Sequence, residues 1–274
     1  MIRIEHAVVP LFGAVVGLVA GQAGGPSIGT EITWPDTVRV EVGSPLVNGT
    51  VYPAHGGVVT RLRIDGAQVD TTGRWTNILV IGDSAGRAVH RWHTSGTTRG
   101  PGGRDVPYDL WQTFDARTLA LYGYHLRSGN GTHIQLAIDG VRVRGTRRTP
   151  ADSAPRSVDL TLPRAGFVAG ASDLIPQAVE GGLREGLVIT APIWSPQAGT
   201  VELQMWSVRR RTTVEFDGRQ APAWEVEHYS ADRQLLGTLW LVDDPPYMAR
   251  WDIATREGGG GGPFTRMVGE RRGG

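Results

Sequence analysis

The sequence predicts a mainly β protein: one large, curved antiparallel sheet or half-barrel with one short helix. Three observations carry that prediction. Apolar and polar residues alternate in many short runs, from "TVRVEV" (37–42) and "VVTRLRID" (58–65) to "TTVEFDG" and "YMARWDI". Compact turn elements such as "DSAG", "SGNG" and "VDDPP" separate many of these runs, as in an antiparallel meander. Helical signals are scarce and no succession of βαβ units is present, which argues against a doubly wound parallel sheet.

The chain reads in four parts. Residues 1–23 have the pattern of a secretory signal peptide: Arg3, an apolar run from Ala7 to Ala20, and small residues at Gly21 and Ala23. The run is shorter than the ~20 apolar residues of a spanning helix. Residues 24–76 form a Gly/Pro-rich lead and an added β hairpin. Residues 77–256 form the curved antiparallel domain. Residues 257–274, "EGGGGGPFTRMVGERRGG", read as a disordered Gly-rich tail with too little apolar content to fold alone. The helix is expected over about 172–181. Ser172 or Asp173 serves as its N-cap, Pro176 stands near its start, and Gly181-Gly182 ends it.

Composition narrows the function classes. The formal net charge is +1, which gives no field for nucleic acid, and no nucleic-acid partner is expected. There is no cysteine, so an exported chain has to hold together by its core alone. The expected location is the periplasm or the surface of a bacterial cell. Asn48-Gly49-Thr50 and Asn130-Gly131-Thr132 read as turns rather than glycosylation sites.

One stretch imitates an enzyme. "NILVIGDSAGRAVHRW" contains a G-x-S-x-G match at Gly82–Gly86, and His55-Gly56-Gly57 stands upstream. The pair resembles the nucleophile elbow and oxyanion loop of hormone-sensitive-lipase-type esterases. In that reading Ser84 is the nucleophile, Gly56 and Gly57 supply oxyanion amides, and His228 is the base, with Asp173 or Asp217 as possible acids. An elbow requires a strand, a sharp turn and a following helix, but "RAVHRWHTSG" is too short and too strand-like to supply that helix. "DSAG" is better read as a type I turn joining two strands, with Asp83 and Gly86 as its defining residues. The esterase is therefore the alternative, and no catalytic residue is assigned.

Other clusters have plain readings. His90 and His93 fall on opposite faces of a strand, so no metal site is expected. Asp243-Asp244 precedes Pro245-Pro246 as a turn, and Arg209-Arg210-Arg211 and Arg147-Arg148 are solvated strand ends. No cofactor is implied. The tryptophans stand out: Trp206, Trp224, Trp240 and Trp251 fall in predicted strands and are the candidates to line a concave face for an apolar ligand.

The second half, with "SDLIP", "VELQMWSVRRRTTVEFDGRQAPAWEVEHYS" and "LLGTLWLVDDPPYMARWDI", resembles the secreted bacterial family known as domain of unknown function 3108. The matching positions are Gly218, Gly237, Trp240, Pro245, Pro246 and Arg250, and the likeness runs from about Phe114 to Ile253. It implies a curved sheet wrapped on a short helix, similar to periplasmic lipoprotein carriers, and brings no catalytic residues. The expectation is an exported envelope protein that binds an apolar, amphipathic or lipid-like ligand, or an envelope partner. A structural or adhesive surface protein tethered by the Gly-rich tail is the further alternative.

Overall fold

The computed structural model describes residues 36–245, 247–253 and 264–271. The expected signal peptide at 1–23 lies outside the described residues. Alternating segments form strands: β1 (Thr37–Arg39), β2 (His55–Asp65), β3 (Gln68–Ser84), β4 (Arg87–Arg99), β5 (Asp105–Asp115), where no strand was expected, β6 (Leu121–Ser128), β7 (His133–Asp139), β8 (Arg142–Arg148) and β9 (Arg156–Thr161). After the short β10 (Phe167–Val168) and a helical segment come β11 (Val188–Ser195), β12 (Thr200–Phe216), β13 (Arg219–Tyr229), β14 (Leu235–Val242), β15 (Met248–Ile253) and β16 (Phe264–Arg271). All belong to one open, curved sheet in the order β1-β11-β12-β13-β14-β15-β16-β2-β3-β4-β5-β6-β7-β8-β9, with β10 also pairing with β11. Apart from the parallel pairs of β1 and β10 with β11, neighbours are antiparallel.

"DSAG" closes the β3–β4 hairpin, with Ser84 opposite Arg87. Asp83 Oδ1 accepts from the Gly86 amide at 2.9 Å. The turn type differs from the expected type I. Ala85 and Gly86 both have positive φ, 54° and 77°, as the twist of a two-residue I′ hairpin demands.

Two expected boundaries do not survive. β3 runs without a break across Asn77, so residues 55–76 are part of the sheet and not an appended hairpin. The expected disordered tail contains β16 over Phe264–Arg271, seated between β15 and β2. Its stability comes from two neighbouring ladders, and those pairings are invisible in the local composition. The rest of the tail lies outside the described residues.

The sheet curls around a single large apolar cluster. That cluster joins residues from both its ends, among them Val40, Ile138, Leu162, Phe167 and Ile189. A second cluster forms on the outer face. A bulge between Val208 and Arg210 reverses the in–out phase of β12. Before it Trp206 and Val208 point into the main core. After it Val214 and Phe216 turn outward and pack with Ala221, Ala223, Val242 and Ala249.

The helical segment is shorter than expected and starts earlier. A 3₁₀ stretch (Ala169–Leu174) leads into one α turn, α1 (Ile175–Ala178). Pro176 stands in the first turn, but neither Ser172 nor Asp173 caps it: the Ser172 hydroxyl donates to Ala169 O at 3.0 Å. The segment plugs the inner face. Tyr52 OH donates to Leu174 O, Gln177 Nε2 donates to Val242 O at 3.1 Å, and the Asn48 amide donates to Ala178 O at 2.7 Å.

Candidate functional site

Alternation along β3, β4 and β5 sends Trp75, Asn77, Leu79, Trp92, Thr94 and Leu110 to the inner face. Gly96 makes this possible beside Trp75: a Cβ there would sit 2.2 Å from Arg74 O and 2.5 Å from Trp75 Cβ. On the same stretch of sheet, β15 and β16 bring Met248, Trp251 and Met267, and β2 brings Val59 between them and β3. Between these side chains and the plug residues Ala169–Asp173 lies a cavity of about 40 Å³, measured to the centres of water-sized spheres. That volume suits a few waters or one compact organic group, since a water needs about 10–15 Å³ on this measure. It is far too small for an acyl chain.

The walls are aromatic and sulfur-bearing, with a few polar atoms set into them. Asn77 Oδ1, an acceptor, and Trp251 Nε1, a donor, are buried with no hydrogen-bond partner. Behind Gly170, the Gln112 amide has both its oxygen and nitrogen unpartnered. Buried polar atoms are nearly always satisfied in folded proteins, by protein or by water, so such a cluster singles out this region. The Trp92 indole is different: its Nε1 donates to Thr94 Oγ1 at 2.9 Å.

Asp173 is the charged group of the cavity. It is half-buried, and no arginine or histidine pairs with it among the described residues. Burial pushes its carboxyl up to about 6, and the bond from its own amide opposes this only in part. Nearby, His228 stacks on Trp206 at 4.7 Å and tilts toward Trp251 at 6.1 Å. Its Nε2 meets Gln204 Oε1 at 2.9 Å. Burial pushes His228 down to about 3, so at neutral pH it is uncharged. Among the described residues the cavity lining therefore holds one unpaired acid and no cation, while Arg61, its Nε buried and unpartnered, stands beside the lining opposite Met267.

The structure redistributes the four tryptophans expected to line a concave face. Trp251 borders this cavity. Trp206 is wholly buried in the main core. Trp224 packs against that core beneath the Arg211 guanidinium, 5.0 Å from its ring centre. Trp240 lies on the outer face under Arg250, at 4.3 Å. "LLGTLWLV" is apolar on both faces because both faces of β14 are covered, so alternation could not say which face was inner. Trp75 and Trp92 went unrecognised. Their signal was the inward phase of β3 and β4 that they share with Asn77 and Thr94.

The esterase constellation is not assembled at the residues expected for it. Ser84 is exposed at the end of β3, followed by a two-residue turn and a strand instead of a helix. Gly56 and Gly57 lie within β2, opposite Ile78 and Asn77 in the ladder. His228 lies on β13, beyond β2, β16, β15 and β14 from Ser84, and is held by Gln204.

The remaining clusters follow their plain readings, with one exception. His90 turns inward to Gly49 O at 2.9 Å, while His93 turns outward, stacks on Trp111 at 3.8 Å and bonds Asp109 at 2.5 Å. Among the described residues no three metal-ligating side chains converge. Arg209, Arg210 and Arg211 do not stand at a strand end as expected but in the middle of β12, at its bulge, and face Glu227, Glu225 and Asp243. Asp243 and Asp244 diverge to separate arginines, Arg211 and Arg271.

No protein family and no curated protein matches this sequence. A solved structure is similar to it. That structure is the "Beta-barrel-like Protein of Domain of Unknown Function DUF1849 from Brucella abortus", at 10% identity and a TM-score of 0.44, over 80% of this chain and 95% of that one. It is a β-rich domain of unknown function, though not the domain of unknown function 3108 that the sequence motifs resemble.

Proposed function

We propose that this protein is a non-catalytic binding protein of the bacterial envelope. In this reading it holds a compact polar or amphipathic group in the cavity beneath the plug. The single observation that carries the proposal is the small cavity beneath the plug, lined by Trp75, Trp92, Trp251 and Asn77, whose Oδ1 is buried without a hydrogen-bond partner. The filled core around Trp206 narrows the expected lipid-like ligand to a small molecule or a headgroup, because an acyl chain has no room. The apolar run near the N-terminus and the loose likeness to a secreted family support export.

Two measurements test this. Protein purified from the cells that make it and released under denaturing conditions should yield one small molecule per chain by mass spectrometry. Trp251→Ala should release it. Cell fractionation should place the protein outside the cytoplasm, with an N-terminus generated close to Ala23. A protein that is cytoplasmic and carries nothing under any native preparation would overturn the proposal.

A further inference from the structure

The cavity also has a definite chemical preference, an inference that rests on the binding role proposed above. Electron-rich indole faces attract cations, and the attraction strengthens when water is excluded. Here three tryptophans, two methionines and one half-buried carboxylate meet around a single space. Methionine sulfur is polarisable and adds a soft wall. Asp173 makes no ion pair among the described residues, so its carboxylate is free to pair with a cation from outside the chain. The acceptor at Asn77 Oδ1, buried without a partner, suits a donor such as a hydroxyl. Drawn as a sphere, the free space has a radius of about 3.5 Å once the ~1.4 Å water radius is added, the size of a methylated ammonium group.

From these features we infer that the cavity takes a small organic cation bearing a hydroxyl, a methylated ammonium alcohol, with Asp173 as its counter-ion and Trp75, Trp92 and Trp251 as its aromatic wall. An inorganic cation would leave the indoles without a role. An anion would meet Asp173.

The test compares choline with 3,3-dimethyl-1-butanol, which has the same shape but a carbon in place of the charged nitrogen. Binding is followed by the shift of the Trp251 indole N–H resonance, assigned with Trp251→Phe, and by thermal stabilisation of the intact protein. Choline should move that resonance and raise Tm by several degrees at saturation, and it should bind at least tenfold more tightly than the neutral isostere. In Asp173→Asn, which circular dichroism should show to be folded, the two molecules should bind alike. Equal binding of both to the unaltered protein would overturn the charge preference and leave the cavity as a binding site. Failure of either molecule to perturb Trp251 would overturn the site itself, leaving a cavity that holds water only.

Discussion

Ending the chain at Gly262 abolishes cooperative folding. β16 is the inner rung between β15 and β2, in register from Phe264 opposite Ile64 to Arg271 opposite Gly57. Its removal bares the facing ladder groups of both neighbours, each unsatisfied buried group costing about 1–3 kcal/mol. It also deletes Met267, which is 4% exposed and packs in the main core, a further loss of about 1.5–3 kcal/mol. Arg266 goes too, and with it a partner of Asp252. Burial alone would raise the Asp252 carboxyl, but hydrogen bonds from Arg250 and Arg266 outweigh it and hold the carboxyl below its usual range. Against a total stability of about 5–15 kcal/mol, these losses leave no folded state. Gly269→Val provides the same test without shortening the chain, because a Cβ at that position would lie 2.0 Å from Met248 O. Both variants should lack a sigmoidal thermal transition by circular dichroism. A truncated chain melting within a few degrees of the full one would show that residues 264–271 contribute nothing to the sheet.

Asp173→Asn acts in the opposite direction and makes the protein more stable at neutral pH. The Asp173 carboxyl titrates at about 6 in the fold against 3.8 for an unperturbed aspartate. Below about pH 3 it is protonated in both states and costs nothing. As pH rises from about 3 to 6 the unfolded chain gives up its proton while the folded chain keeps it, so stability falls across that window. Above pH 6 the full difference, on the order of 3 kcal/mol, weighs against the fold. Asparagine keeps the shape without the charge and should recover about 1–3 kcal/mol at pH 7, or roughly 4–10 °C in Tm. At about pH 3 the two proteins should melt nearly together. His228 adds its own dependence of opposite slope. Its folded value of about 3, against 6.5, means stability is lost as pH falls from about 6.5 toward 3. That contribution is common to both proteins and cancels in the difference between their melting curves. An Asp173→Asn protein less stable than its parent at pH 7 would mean that the carboxylate is already compensated within the fold. Stability given up at a single half-buried acid is what a binding site costs a protein when its ligand is absent.

The strands were legible because period-2 alternation is a local property, and the β3–β4 turn because Asp83 and Gly86 state its chemistry outright. Three features were not legible, each for a physical reason. β16 is flanked by glycine-rich sequence and depends on partners hundreds of residues away or across the sheet. The phase of β12 flips at the Val208/Arg210 bulge, which no residue pattern announces, so the outer cluster looked like more core. The cavity depends on the long-range pairing that sets β15 and β16 beside β2 and β3–β5 on one concave face, and on where the plug lies. Asn77 could have been suspected from its shared phase with Trp75 and Leu79. From sequence Asp173 reads as a helix cap or an acid for the esterase, and not as a cavity group, because its surroundings are decided by the plug and not by its neighbours in sequence.

The order of the sheet also sets a timetable. Phe264 pairs with Ile64, 200 positions earlier in the chain. The hairpins β2–β9 and β11–β15 can each form as they are synthesised, but the rung that joins them is made long after the first of them. Until then β2 and β15 are open edges in a slow, long-range topology, each able to pair with a strand from another molecule. A chain built this way reaches its native state in one late step. Its yield should therefore depend on whatever keeps those two edges apart from other chains before that step, more than on the final stability of the fold.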